Sequence, residues 1–552
     1  MIPRPPFGPE LDLQEELRTF ERLKPRLSKV WDAIVQSDAE PYTSVVVPSM
    51  SLDQQELAKV PGISFYEERL LFLLIRLRNP RARVVFVTSL PVHPHILEYY
   101  FGMLAGVPAH HAWARVTMLC AHDASPRPLT EKILERPRLI QRIRDSIPDK
   151  SRAYLTVFNS TPLERKLSVL LDLPMNGVDP ELRYLGTKSG CRKVFREAGV
   201  DLPEGMEDLR TEAEVGQALV EIKRRQPGLR KAVVKLNDSF SGEGNALFRY
   251  PEAAGAAPIR EAMRSMEMPV PTETYDQFFE KYARMGGIVE AWLDGEEKAS
   301  PSVQVRCDPN GEVHPISTHD QVLGGPSGQI FLGCLFPAHD GYRKQIQQAG
   351  LRIGEVLAAR GVVSRFGVDF LCVRDPRRDE WSIHALEINL RMGGTTHPFL
   401  ALQFITGGTL DERSGLFRSL RGNPKCYRAT DNLKSDAYHG LAPDDFIEVV
   451  TDHGLHYSHD TESGVLFHLI GALSEFGKVG LTAIGNSREE AEQVYQRTLQ
   501  ILDAETRYGS HHHGSPQATV AVPGGAGQAV RRNEAVTRPR HSIARARTPQ
   551  PP

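Results

Sequence analysis

The sequence predicts a multidomain protein of mixed α/β and α+β class: a parallel-sheet domain, a hairpin-rich α+β region, and a small α+β unit near the end. Three observations point to it. The chain has 552 residues, more than one hydrophobic core usually organises. Its first third alternates β-branched runs, Ser44-Val45-Val46-Val47 and Arg83-Val84-Val85-Phe86-Val87-Thr88, with amphipathic stretches at 65–77 and 130–146, the pattern of strands joined by crossing helices. From Lys231 onward strand-like runs are separated by turn signals such as Asp308-Pro309-Asn310-Gly311.

Taken in order, the first domain occupies residues 1–185. Its opening segment, 11–26, mixes acids and bases and lacks the apolar core of a secretory signal. The strongest apolar run, 70–75, lies between Arg69 and Arg76 and is far shorter than the roughly 20 residues a bilayer requires. A cytoplasmic protein with no membrane partner is expected. Residues 188–199 read as a helix entered at Gly186-Thr187 and closed by Gly199 before Pro203, which sets a boundary at 186. The central region, 186–430, holds a smaller lobe at about 200–292, a hairpin at 299–316, a helix at 342–360, and two strands at 362–373 and 381–391. A unit at 431–507 ends in a helix at 487–503 whose Ala491, Val494, Leu499 and Leu502 form an apolar stripe. Residues 508–552 are rich in Gly, Pro, Ser and Arg, lack apolar periodicity, and read as a disordered basic tail.

Composition narrows the function. With 67 basic and 69 acidic residues the net charge is -2, giving no field that would gather nucleic acid. The six cysteines are scattered singly with no C-x-x-C pair, so buried reduced thiols are expected rather than zinc or redox chemistry.

Three segments carry candidate chemistry. The first is Lys231-Ala-Val-Val-Lys235-Leu-Asn-Asp-Ser239-Phe-Ser241-Gly242-Glu-Gly244-Asn245. A strand delivers Lys235 into a small loop where Gly242 and Gly244, with Ser239 and Ser241, let backbone N–H groups approach phosphate oxygens closely. It is neither a Walker A loop, since no Gly-Lys-Ser/Thr closes it, nor a dinucleotide fingerprint. The second pairs Gly367-Val368-Asp369-Phe370 with Ala385-Leu386-Glu387-Ile388-Asn389-Leu390-Arg391. Side chains alternate along a strand, so Glu387, Asn389 and Arg391 share one face while Leu386, Ile388 and Leu390 take the other. Oxygens from Asp369, Glu387 and Asn389 suit Mg²⁺ that also holds nucleotide phosphates, and Arg391 can grip a carboxylate or acyl phosphate. The third is Gly287-Ile-Val-Glu290-Ala291-Trp292-Leu293-Asp294-Gly295-Glu296-Glu297, where the backbone of Ala291 and Leu293 suits adenine and Glu297 suits ribose hydroxyls. Alone, each segment also fits an ordinary turn or amphipathic strand; the order lysine, glycine loop, carboxylates is what those readings leave unexplained.

Together, Lys188, Lys235 with its glycine loop, Glu290 to Glu297, Asp369 and Glu387-x-Asn389-x-Arg391 resemble the ATP-grasp superfamily in residue type, order and separation. Tyr66-Glu67-Glu68-Arg69, Gly186-Thr187-Lys188-Ser189-Gly190 and Asn389-Leu-Arg-Met-Gly-Gly-Thr-Thr-His-Pro398 extend the resemblance to the pheganomycin-type peptide ligases, over about residues 20–506. The resemblance implies a Rossmann-like pre-ATP-grasp domain, a two-subdomain ATP-grasp fold and a small C-terminal domain. It implies two phosphate-contacting lysines, Lys235 and Lys188, with Lys193 near the latter. It implies hinge glutamates at Glu290 and Glu297, and metal ligands at Asp369, Glu387 and Asn389. ATP with Mg²⁺, or Mn²⁺ in its place, is the expected cofactor set. The expected partners are a small carboxylate and an amine, each an amino acid or peptide, with a homo-oligomer left open. The expected reaction forms an amide through an acyl phosphate, releasing ADP and phosphate. Phosphorylation of a hydroxyl and a non-catalytic nucleotide-binding scaffold are the alternatives. Ser300, Ser302, Gln304, Asp320, Gln321, Thr395, Thr396 and His397 are candidates for substrate recognition or loop structure.

Overall fold

The computed structural model describes residues 12–37, 39–52, 57–58, 60–238, 244–253, 255–269, 273–324, 330–375, 377 and 380–509. Met1–Arg507 form one compact unit and Tyr508–Pro552 a second, nearly all of it outside the described residues, so the expected basic tail lies outside them too.

The first sheet is parallel, with strands β1 (Thr43–Val47), β2 (Arg83–Thr88), β3 (Val116–Cys120), β4 (Ala153–Val157) and β5 (Met175–Asn176) in the order β3-β2-β1-β4-β5. Its valine-rich strands are covered on both faces. Val45, Val47, Val85 and Val87 pack with Leu129, Ile133 and Ile140, whereas Val46, Val84 and Phe86 belong to a second core on the other face. The strand order reverses between β1 and β4, and ligands of such sheets bind beyond the carboxyl ends of strands at that point. Met50 and Phe158, just past those two strands, indeed line the main cleft.

Two helical expectations change in detail. Residues Ile63–Arg78 form a 3₁₀ helix with Glu67, Glu68 and Arg69 buried beside the apolar run, because this segment is covered on several sides rather than one. The stretch at 130–146 divides into helices Leu129–Leu134 and Pro137–Asp145, since Pro137 cannot donate the hydrogen bond that would continue the first.

The second sheet, β6 (Gly205–Leu209), β7 (Lys231–Leu236), β8 (Asn245–Arg249) and β9 (Gly287–Ala291), is antiparallel in the order β6-β9-β7-β8. Helices Glu212–Arg225 and Tyr275–Met285 flank it, each opened by a capping box, Thr211 with Glu214 and Thr274 with Gln277. Val215, Leu219, Val234, Phe248 and Tyr282 give this lobe a core of its own.

The third sheet has eleven strands. They are β10 (Glu297–Ala299), β11 (Pro301–Cys307), β12 (Val313–Gly324), β13 (Ile330–Phe336), β14 (Ser364–Asp375), β15 (Glu380–Asn389), β16 (Thr409–Asp411), β17 (Leu416–Arg418), β18 (Pro424–Lys434), β19 (Gly464–His468) and β20 (Lys478–Gly485). Helix Arg343–Ala359 crosses its back, with Ile346, Ile353 and Leu357 in one core with Val303, Val305 and Phe366. Gly350 permits that approach: a Cβ there would stand 2.6 Å from the Val303 side chain. β20 pairs with β18 and β19, so the strands of the last unit extend the central region's sheet instead of forming a separate one. All six cysteines are unpaired; Cys191, Cys307, Cys334 and Cys372 are buried, whereas Cys120 and Cys426 are half-buried. Among the described residues no helix is long and apolar enough to cross a membrane.

Candidate active site

The carboxylates come from neighbouring strands. β14 and β15 pair with Asp369 opposite Glu387 and Gly367 opposite Asn389, and β11 sets Ser302 opposite Asp369 on the other side. The Asp369 carboxylate accepts hydrogen bonds from Gln321 Nε2 at 2.7 Å and Asn389 Nδ2 at 2.9 Å. The β14–β15 register then slips, leaving Leu386 as an extra residue, so Leu386 and Glu387 both line the cleft where strict alternation puts Leu386 in the core. β15 ends at Asn389; Arg391 lies just beyond it and reaches the cleft from a bend, its guanidinium donating to Met392 O at 3.1 Å.

Lys188 is the first residue of helix Lys188–Glu197, and its buried ammonium pairs with Glu387. Thr187 caps that helix, its hydroxyl accepting from Gly190 N at 3.1 Å. Asn237, just after β7, holds the same turn: its side-chain oxygen accepts from Ser189 N at 2.9 Å and its carbonyl from Lys188 N at 3.2 Å. One short link thus fixes both lysine-bearing elements.

On the facing wall, β7 and β9 set Val233 opposite Glu290, so Lys235, two residues along the same face, reaches Glu290 diagonally with Nζ 2.6 Å from Oε2. Arg192 Nη1 donates to the other Glu290 oxygen at 2.8 Å. Glu290 is only 2% exposed, and although burial pushes its carboxyl up, Lys235 and Arg192 hold it below the usual range.

Asp369 and Glu387 titrate apart. Burial, with Glu387 nearby, pushes Asp369 up to about 6, whereas Glu387, also opposed by burial, is held below its ordinary value by Lys188, Lys235 and Arg391. Both are anionic at neutral pH. Two carboxylates and an amide oxygen form a hard-oxygen donor set suited to Mg²⁺. Beside them Ser302 Oγ and Gln304 Nε2 are buried and have no hydrogen-bond partner among the described residues, so the site has polar groups left for a ligand to satisfy.

These groups surround a cavity of about 850 Å³. Lys188, Lys235, Glu290, Ala291, Leu293, Asp369, Glu387, Asn389 and Arg391 all line it, as do Ser300, Ser302, Gln304, Gln321, Thr395 and Thr396. Pro203, Val233, Leu293, Leu371 and Leu386 contribute to its apolar lining. Glu297 does not join them: it lines a smaller neighbouring cavity and pairs with Arg374 at 2.7 Å. Asp320 lies at that smaller cavity, bonded to Tyr342 and Arg488. Gly244 is buried outside the lining, and Ser239, Ser241 and Gly242 lie outside the described residues. His397 is buried against His468, the rings 4.3 Å apart. The sequence reading missed Arg192 and Asn237, which look like ordinary helix and turn residues until the fold brings them to Glu290 and Ser189. It also missed Asp431 and Lys478, charged residues in strands remote in sequence from the motifs.

Known proteins resemble this chain over most of its length. A family model described as IQCH-like, ATP-grasp matches residues 180–251 and 258–413, and one described as the PGM1 C-terminal domain matches residues 445–498. The L-propargylglycine–L-glutamate ligase of Streptantibioticus cattleyicolor is 31% identical over 472 residues, covering 83% of this chain and 94% of that protein. IQ motif-containing protein H of Danio rerio is 23% identical over 447 residues, covering 72% of this chain and 42% of that protein. Among solved structures, the biotin carboxylase domain of the Hydrogenobacter thermophilus 2-oxoglutarate carboxylase aligns with a TM-score of 0.49 at 12% identity, over 83% of this chain and 89% of that one.

Proposed function

We propose, from the premise that this chain belongs to the ATP-grasp family with the L-propargylglycine–L-glutamate ligase, that it is an ADP-forming carboxylate–amine ligase of the cytoplasm. One observation carries the reading: Lys188, Glu387, Asp369 and Asn389 on one wall face Lys235 and Glu290 on the other across a single cleft.

ATP enters with its base beside Ala291 and Leu293, and its phosphates run toward the two lysines. The Lys235 strand leads toward residues 239–243, whose Ser- and Gly-rich sequence suits backbone N–H contacts to the phosphates. As the triphosphate arrives, Lys188 and Lys235 exchange carboxylate partners for phosphate oxygens, and Glu387 is released from its lysine. Asp369, Glu387 and the Asn389 amide oxygen would hold Mg²⁺, or Mn²⁺ in its place, which when bound neutralises phosphate charge and polarises the transferred group. Arg391 orients the substrate carboxylate, one of whose oxygens attacks the γ-phosphorus as the bond to ADP breaks. An amine then adds to the acyl phosphate, inorganic phosphate leaves, a proton is lost from nitrogen, and an amide remains. Exclusion of water from the cleft protects the intermediate from hydrolysis.

The named relative joins two amino acids, which supports amino acids or short peptides as substrates here. An ADP-release screen crossing carboxylates with amines, read by mass, tests the reaction. Amide products that require both partners are expected. A phosphoester formed without any amine would replace the ligase reading with hydroxyl phosphorylation, and no ADP from any pair would overturn both.

A further inference from the structure

The mechanism above leaves unused the wall of the cleft formed by the 3₁₀ helix Ile63–Arg78 and strands β18 and β20. Arg69 is 5% exposed, and its guanidinium lies over the rings of Tyr66 and Phe158, at 4.5 and 5.1 Å from their centroids. Its Nη1 donates to Asp431 Oδ2 at 3.1 Å. Lys478, the first residue of β20 and 4% exposed, approaches the same Tyr66 ring at 4.8 Å and donates to its hydroxyl. All five residues line the cavity. Two cations thus bracket one tyrosine, and the carboxylate they share belongs to Asp431.

The charge is not balanced. Asp369 and Glu387 answer Lys188, Glu290 answers Lys235 and Arg192, and Arg391 lies near enough to Arg69 for the two to repel. Among the described residues Asp431 alone stands against Arg69 and Lys478, and an ammonium has three donors, of which the Tyr66 hydroxyl takes one. Buried cations with spare donors in a ligand cavity fit an anionic group. The phosphates already have their lysines. The carboxylate that reacts loses its charge on phosphorylation, so a permanent cation pair would hold it better before the reaction than during it. A carboxylate that survives the reaction has no such conflict.

We propose that Lys478 and Arg69, spaced by Tyr66 and backed by Asp431, dock a carboxylate that is not consumed, so that one substrate is an α-amino acid, or a peptide with a free C-terminus, gripped through that group. That this carboxylate survives rests on the ligase reading; the docking does not. The full-length protein is titrated calorimetrically with the proteinogenic α-amino acids and their α-carboxamides, with Mg²⁺ and a non-hydrolysable ATP analogue present. At least one acid binds about tenfold or more tighter than its amide, and Lys478→Gln shrinks that preference to about twofold. Retained binding of the ATP analogue shows that the variant is folded; should it not fold, Tyr66→Phe, which frees Lys478 from its hydroxyl partner, is expected to alter the same ratio. Equal binding of acids and amides, no binding of either, an undiminished preference in folded Lys478→Gln, or an unchanged ratio in Tyr66→Phe overturns the proposal. ADP release separates the two readings. Acid preference without ADP release from any pair removes the ligase and leaves the docking site, whereas turnover indifferent to the spare carboxylate removes the docking site and leaves the ligase.

Discussion

Burial alone would drive the Glu387 carboxyl up, and Lys188, Lys235 and Arg391 hold it down instead, so this side chain reaches neutral pH charged and paired. Its partner lysine is needed by the phosphates in the proposed reaction, which makes the charge on Glu387, rather than its shape, the functional quantity. Glu387→Gln keeps the volume and removes the charge; ADP release is expected to fall by roughly a hundredfold or more, read in a coupled assay, and an unchanged rate would remove the metal-binding role. Lys235 stands differently. Its loss leaves Glu290 still held by Arg192 at 2.8 Å, so the fold is buffered while the phosphate contact is gone. Lys235→Ala should raise the KM for ATP about tenfold, and unaltered KM and kcat together would count against the assignment. These residues were legible in the sequence because each couples a charge to a local strand or loop pattern. Arg192 was not, since a basic residue among Lys193 and Arg196 on a helix reads as solvated surface until the fold buries it on Glu290.

At the scale of elements, the helix Lys188–Glu197 shows how a cap becomes part of a site. Its first residue carries the ammonium, so whatever fixes the turn also fixes the charge. Thr187 accepts from Gly190 N, and a Cβ on Gly190 would fall 1.9 Å from the Tyr184 carbonyl oxygen, a backbone atom with little room to retreat. Gly190→Ala is therefore expected to cost about 1–3 kcal/mol in urea unfolding and to weaken ATP binding as Lys188 shifts. Normal stability with normal ATP affinity would show that the turn tolerates displacement. The helix and both carboxylate strands were legible from cap and alternation signals. The slip that brings Leu386 into the cleft was not, because a bulge is set by cross-strand pairing that no local pattern reports. The same limit applies to Glu297: its spacing from Glu290 is right for a hinge pair, yet β10 turns it toward Arg374 and a separate cavity.

For the whole molecule, the parallel sheet, the separate lobe with its own core and the large antiparallel sheet follow the order of patterns along the chain. What the chain order conceals is how far the last unit is built into the rest. We propose the division 1–185, 186–430, 431–507 and 508–552 as lengths of chain, but β19 and β20 extend the central sheet, and Phe72, Tyr100, Phe404 and Phe467 share one core across the first three. The joint between the first and the third is polar as well as apolar: Glu68 Oε2 accepts from Gly471 N at 3.2 Å, with a Cβ on Gly471 excluded by the other carboxylate oxygen at 2.3 Å. Burial pushes Glu68 up to about 8 and its neighbour Glu67 up to about 7, from an ordinary value of 4.5. Their folded pKa values are raised, so between those limits the folded state holds protons that the unfolded state has released. The stability they contribute is complete below the unfolded value and is lost as pH rises through the folded ones, at about 1.4 kcal/mol per pH unit for each proton so held. Urea unfolding of the apo protein should therefore show stability falling between about pH 5 and pH 8. Glu68→Gln, which keeps an oxygen for the Gly471 N–H but cannot ionise, should flatten the upper part of that fall and leave the variant the more stable protein at about pH 9. A wild type whose stability is level or rising over this range, or a variant with the same slope, would mean that the joint is wet enough for Glu68 to remain charged.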